Sequence, residues 1–341
     1  MKLLIIGADS EYAIERFYLK YWKEYGKNIT IEFFPAQNFF YEYYNKNIVN
    51  KIIYKLGVSF IYKTINQLLI ERIDLFEPEI IFVFKGMEVF PETLGYAKKR
   101  GIKLINYNPD NPFIFSGSGS GNTNITKSIG LYDFHFTYSE DIKSQLNLQF
   151  NIPTALLPFG FDIEDVILKK AKSNEEINRV CFIGNPDVFR AKLIYNLAKK
   201  GVEIDVYGHR WDNFLNHQNI NWFNTVSNNE LWYTLRKYRI QLNIMRPHNL
   251  DSHNMRTFEV PGIGGIQLAP NTKEHRLFFE PDKEIFLYTT LEECVTKIDY
   301  LLSLNTEQAN EFRVFAREAS LNKKHSYKDR ALKVLEVLEK L

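Results

Sequence analysis

Val180-Cys181-Phe182-Ile183-Gly184-Asn185-Pro186 reads as a short strand running into a glycine turn. Its four apolar residues do not alternate with polar ones, which is the pattern of a strand covered on both faces. A helical pattern follows over 190–200, and a second apolar run over 203–207. Parallel strands need a crossover of this kind, so one strand–helix–strand unit is already present. Gly184 permits close backbone approach, and sheets of this class bind ligands at such strand-to-helix loops.

The same rhythm extends in both directions. Downstream, strands are predicted at 220–223, 241–244, 265–268 and 285–288, with helices at 229–238, 252–260 and 291–304. Two helical stretches, separated near 322–326, complete 307–341. Upstream, strands are predicted at 3–6, 29–34, 80–84, 103–107, 134–138 and 154–157, with helices at 11–25, 47–75 and 91–100. Gly101 suits a helix C-cap, and the polar stretch 169–178 suits a linker. The expected architecture is α/β, with two Rossmann-like, doubly wound domains at 1–165 and 175–320. A C-terminal helix at 321–341 is then free to return to the first domain.

Composition narrows the function classes. The 341 residues are 45% hydrophobic and 25% charged, as in globular rather than disordered proteins. A net charge of +2 argues against wholesale nucleic-acid binding. Cys181 and Cys294 lack metal-ligand spacing and suit core packing in a reduced, cytoplasmic setting. The apolar run 3–6 is too short for a signal peptide, and no run approaches the ~20 residues of a membrane span. Segment 41–63 mixes Tyr41, Tyr43, Tyr44, Tyr54, Phe60 and Tyr62 with Lys46, Lys51, Lys55 and Lys63. Ile48, Val49, Ile52, Ile53 and Leu56 form an apolar stripe there at helical spacing. Such a stripe packs on a core, or rests on an acceptor glycan or the inner face of an anionic membrane. Peripheral membrane contact through 41–63 is therefore one expectation.

Five loops of the second half carry candidate ligand chemistry. Gly184 and Asn185 lead to Arg190, whose guanidinium suits a phosphate. Tyr207 and Gly208 end the next strand, with His209 and Trp211 beyond. Thr225 and Val226 offer backbone groups to a nucleobase edge, with Ser227 as N-cap of the following helix. Asp251-Ser252-His253-Asn254-Met255-Arg256-Thr257-Phe258-Glu259 carries most weight. Asp251 and Ser252 are N-cap candidates, so a helix N-terminus there faces any diphosphate. Arg256 and Glu259, at i and i+3, share one helix face. The guanidinium neutralises phosphate and the carboxylate holds two vicinal ribose hydroxyls; a plain intrahelical ion pair is the alternative. Pro261-Gly262-Ile263-Gly264-Gly265 then returns the chain to a strand.

Asp251 and Glu259, with seven residues between them, resemble the Glu-x7-Glu element of retaining GT-B glycosyltransferases. Asp251 stands in place of the first Glu, and Gly264 falls on that family's glycine. His253 to Gly265, followed by Thr272-Lys273-Glu274-His275, resembles the CgeB-like glycosyltransferases of the spore maturation protein family. Asn108-Pro109-Asp110-Asn111-Pro112, Tyr132-Asp133 and His325 through Arg330 are similar to further segments of that family. The resemblance implies the GT-B fold, two domains facing across a cleft, and polysaccharide biosynthesis. It implies a nucleotide-sugar donor, a UDP-sugar foremost, and a glycan, lipid-linked or protein acceptor, with retention of configuration.

By the same resemblance Asp251 acts at the donor sugar and the first domain holds the acceptor. Its candidate loops are 7–10, 85–88 and 108–111. Asp110 orients or deprotonates an acceptor hydroxyl, or else closes an Asx turn with Asn108. Ser116-Gly117-Ser118-Gly119-Ser120-Gly121 is a flexible loop and a lid candidate. No Asp-x-Asp triplet occurs, so no metal or other cofactor is expected. Arg190, Arg256 and a helix N-terminus are left to stabilise the phosphate charge. A GT-B-fold nucleotide-sugar epimerase and a non-catalytic nucleotide-sugar or glycan-binding protein are the alternatives.

Overall fold

The computed structural model describes residues 1–11, 13–115, 119–173, 175–246 and 251–341. These form two compact units, Met1–Pro158 with Lys328–Leu341, and Phe159–Tyr327. Unit 1 holds β1 (Lys2–Ile6), β2 (Thr30–Phe34), β3 (Ile80–Phe84), β4 (Lys103–Asn108), β5 (Phe134–Thr137) and β6 (Thr154–Leu156). All pair in parallel, in the order β2-β1-β3-β4-β5-β6. β3 is buried at every position because helices cover both of its faces. Ile81 and Val83 pack with Leu69 of α4 (Ile61–Phe76) and Leu94 of α5 (Pro91–Lys99). Phe82 and Phe84 instead meet Trp22 and Tyr18 of α1 (Ile14–Tyr25), the Trp22–Phe82 centroids 5.2 Å apart.

The C-terminal stretch of α15 (Tyr327–Leu338) from Lys328 onward belongs to unit 1. Trp22 Nε1 donates to the Ala331 carbonyl at 3.0 Å, and Lys333 Nζ to that of Leu156 at 3.0 Å.

Unit 2 holds β7 (Ile177–Ile183), β8 (Ile204–Tyr207), β9 (Ile220–Phe223), β10 (Tyr238–Leu242), β11 (Gln267–Pro270) and β12 (Phe286–Tyr288). Their order is β12-β11-β10-β7-β8-β9, again all parallel. Each sheet reverses its direction of growth once, between β1 and β3 and between β7 and β10. At such a reversal the loops above adjacent strands lead to opposite faces, and a crevice opens between them.

Several local expectations change. The single helix expected at 47–75 is two, α3 (Ile48–Lys55) and α4, and α2 (Ala36–Lys46) precedes them. Asn47 is extended at φ −163°, and Gly57, left-handed at φ 74°, follows the end of α3. The stretch 169–178 is no linker: α8 (Asp165–Lys172) packs on α10 (Asn228–Lys237), with Leu168 and Ala171 in one cluster with Leu235. That burial puts the unit boundary at Pro158/Phe159, and the second boundary falls at Tyr327/Lys328. Of the loop 116–121, Ser116, Gly117 and Ser118 lie outside the described residues. Cys181 and Cys294 are buried and unbridged, and burial pushes the Cys294 thiol up to about 12.

Candidate functional site

The β7/β10 reversal gathers most of the charged groups singled out in the second half. Asp187 caps α9 (Val188–Lys199), its side chain accepting from the Arg190 N–H at 2.9 Å. Arg190 is therefore fixed at the start of the helix above β7. Its Nε and Nη2 donate to the Ile244 carbonyl beyond β10, at 3.2 and 3.1 Å, and its Nη1 to the Asn185 carbonyl at 3.1 Å. The guanidinium thus ties together the two loops that flank the crevice. Burial, then the neighbouring Arg246 and Arg256, push it down to about 10, against the pull of Asp187. It remains a cation at neutral pH, within electrostatic reach of two others.

Gly184 and Gly208 act on the backbone. A Cβ on Gly208 would sit 2.3 Å from the Gly184 carbonyl oxygen, so only glycine lets these two loops touch. That carbonyl also accepts from Trp211 Nε1 at 2.9 Å, while Asn185 Oδ1 accepts a long bond from the His209 N–H at 3.4 Å. Tyr207 stacks on Phe223 at 4.8 Å and bonds the Tyr238 hydroxyl at 2.9 Å. Tyr238 in turn donates to Asp205 at 2.7 Å, so the Tyr207 hydroxyl serves a network within the sheet. Thr225 and Val226 follow β9, and Val226 packs against the cluster that holds Ile183 at the end of β7 and Val260 and Ile263 of the helix after β10. Ser227 is the N-cap of α10 by position, without a side-chain cap bond.

The helix after β10 starts later than the sequence suggests. It is α11 (Arg256–Ile263), so Asp251 and Ser252 are not its caps. Asp251 sits in an exposed turn beside 247–250, which lie outside the described residues. The Ser252 hydroxyl is taken by Glu274, donating to its Oε2 at 2.5 Å. His253 Nδ1 lies 2.6 Å from the same oxygen, and all three side chains are buried. A carboxylate only accepts, so His253 carries its proton on Nδ1. Asn254 takes over the capping role, its Oδ1 accepting from the Thr257 N–H at 3.2 Å, while its Nδ2 donates to Asn243 Oδ1 at 2.7 Å. His275, on α12 (Lys273–Phe278), must donate from Nδ1 to the Pro270 carbonyl at 2.7 Å. Its Nε2 then accepts from the Thr257 hydroxyl at 3.0 Å. Burial holds His275 down to about 4, so it is neutral under ordinary conditions.

Arg256 and Glu259 form the i,i+3 ion pair foreseen as the plainer alternative, through Nη1 and Oε2. Arg256 Nε has no hydrogen-bond partner among the described residues, an orphaned donor on a cation beside the crossover. Asn243, Arg246, Thr257, Glu274 and His275 were not singled out as site residues from sequence. Glu274 and His275 stand in a quoted motif, but nothing local ties them to residues some twenty positions earlier.

In unit 1, Asp110 follows β4 and meets Lys85 Nζ at 2.6 Å, while its own N–H donates to Asn108 Oδ1 at 3.0 Å. The Asx turn is thus present. At the β1/β3 reversal, Glu15 accepts from the Ala8 N–H at 3.0 Å. Lys85 and Gly86, both left-handed at φ 59° and 98°, turn the chain after β3 towards buried Glu88. Among the described residues, no group of three or more His, Cys, Asp or Glu side chains is placed to hold a metal ion.

Residues 190–336 match a family model described as glycosyl transferase-like. No curated protein matches the chain at a significant level. Among solved structures, sucrose-phosphate synthase of Thermosynechococcus elongatus superposes with a TM-score of 0.70 at 7% identity, covering 100% of this chain and 98% of that one. HepE of Anabaena, in complex with UDP, gives 0.66 at 12% identity over 100% of both chains. UDP-GlcNAc 2-epimerase of Neisseria meningitidis, bound to UDP-GlcNAc, gives 0.60 at 15% identity over 100% of both. At such identities the likeness is one of fold. The chain has the two-domain α/β GT-B fold, and the glycosyl transferase-like match runs over most of the second unit and into the returning C-terminal helix.

Proposed function

We propose that this GT-B chain is a nucleotide-sugar-dependent glycosyltransferase of the CgeB-like kind, binding its donor, a UDP-sugar foremost, at the β7/β10 crossover. The observation that carries the reading is the gathering of Arg190, Arg246 and Arg256 where the strand order reverses. In the reaction the bond between the sugar's anomeric carbon and the diphosphate breaks and one to an acceptor hydroxyl oxygen forms, the hydroxyl proton passing to the departing diphosphate. Negative charge develops on the departing diphosphate, and preorganised guanidiniums stabilise it without rearranging. Arg256, with its orphaned Nε, makes the direct contact. Arg190, already committed to two carbonyls, contributes its charge and the loop geometry. Once phosphate takes Arg256, the Glu259 carboxylate is released to the ribose hydroxyls. Asp251 acts at the sugar with retention of configuration, and unit 1 holds a glycan, lipid-linked or protein acceptor.

The test is calorimetric titration with UDP. Glu259→Gln should weaken binding about ten- to a hundredfold, roughly 1.4–2.8 kcal/mol. The difference should shrink with the 2′,3′-dideoxy nucleotide, and EDTA should leave wild-type affinity unchanged. Arg256→Ala should lower affinity for UDP and hardly alter that for uridine. Equal UDP affinity in wild type and a folded Glu259→Gln would overturn the assignment. The epimerase neighbour motivates one control: UDP-GlcNAc incubated without acceptor and followed by NMR. Appearance of the 2-epimer would replace the transferase reading.

A further inference from the structure

The apolar stripe of 48–56 faces solvent. No residue of α3 is buried. Ile48, Ile52 and Leu56 are spaced by four, so they line one helix face, and Val49 lies beside them. These four, with Val58 and Phe60 in the loop to α4, are each between 51% and 73% exposed. What α3 packs inward is Tyr54, whose ring meets Phe40, Tyr44 and Tyr62 at 4.9, 5.6 and 6.0 Å. Its hydroxyl bonds that of Tyr62 at 3.0 Å. An aromatic cluster thus holds the helix from behind while its apolar side stays uncovered. Contiguous exposed patches of this kind mark interaction surfaces.

The charge around the patch selects the partner. Lys46, Lys51, Lys55 and Lys63 flank it, and no Asp or Glu occurs between Glu42 and Glu71. Among the described residues no helix is long and apolar enough to cross a membrane, and α3 has eight residues, so the element can only lie on a surface. Apolar side chains on a short helix, ringed by lysines, match the boundary between acyl chains and anionic headgroups.

We propose that α3 and the α3–α4 loop dock this protein on an anionic lipid bilayer, with the apolar face inserted and the lysines at the headgroups. This holds whatever the donor site binds. The test is co-sedimentation of the full chain with vesicles of phosphatidylcholine, with and without phosphatidylglycerol. Binding should require phosphatidylglycerol and weaken as salt is raised. Ile52→Glu with Leu56→Glu should abolish it, and Lys51→Gln with Lys55→Gln should weaken it roughly tenfold. Ile52, Lys55 and Leu56 are exposed and Lys51 is half-buried over the Tyr44 ring, so circular dichroism and UDP affinity should stay at wild-type values. Equal vesicle binding by wild type and the Ile52→Glu/Leu56→Glu variant would overturn the proposal. So would a wild-type dimer, seen by light scattering, that this variant dissociates while no form binds vesicles.

Discussion

Glu88 is a buried carboxyl held close to Glu15 and to the Lys85 ammonium. Burial raises it to about 7, with Glu15 adding to the rise and Lys85 and its own backbone N–H opposing it. The folded chain therefore keeps this proton up to near neutrality, whereas the unfolded chain releases it near 4.5. Between those values the native state binds more protons, so stability falls as pH rises, by about 1.4 kcal/mol per unit and roughly 3 kcal/mol in all. Glu15 is raised by burial too and contributes with the same sign. Urea unfolding from pH 4.5 to 7.5 should show this decline, and Glu88→Gln should flatten much of it. Superimposable pH profiles for the two proteins would mean that Glu88 is ionised in the fold at acid pH. Spacing does not mark Glu88, because its shift comes chiefly from burial in the assembled unit.

The loop from Ser252 to Asn254 depends on a carboxylate in another helix. Glu274 lies 22 positions from Ser252 and 21 from His253, and draws both onto α12. Glu274→Ala would leave two buried donors without this acceptor, at a cost of about 3 kcal/mol. Glu274→Gln, which keeps one amide oxygen, should lose roughly half of that. If the loop shapes the crossover, UDP affinity should fall with it, in the order wild type, Gln, Ala. Stability unchanged in the alanine variant would remove the clasp from the account. Most strands were legible as continuous apolar runs, and α1 and α9 as helical spacing. The beginning of α11 was misplaced because Ser and Asp are good N-caps in isolation. Here Glu274 has taken the serine hydroxyl, and Asn254 caps instead.

The chain returns to unit 1 at its end. Ala331, Val334, Leu335 and Leu338 are all buried, and Trp22 donates to Ala331. Truncation after Tyr327 should therefore loosen unit 1 while unit 2, continuous over Phe159–Tyr327, keeps its fold. Hydrogen exchange should show protection lost in β1 and β3 and retained in β7 and β10. Uniform loss across both sheets would show that the two units do not unfold independently. The same scale decides the fate of α3. Its stripe has the periodicity of a core-packing helix, and only the assembled unit leaves that face uncovered.

By itself the sequence determined the α/β class, the two sheets and the loops worth searching. Parallel strands are buried on both faces and separated by crossovers, and both properties are written in local periodicity. Gly208 and Arg190 were visible as residue types in the right loops. Tertiary structure alone decided strand order, and with it the reversal between β7 and β10. That reversal brings Arg190 to Ile244 across 54 positions and within reach of Arg246 and Arg256. The difference is physical: periodicity records which face of an element is buried, whereas strand order depends on which pairs of faces fit together. That choice is made between segments far apart in the chain, after the elements exist.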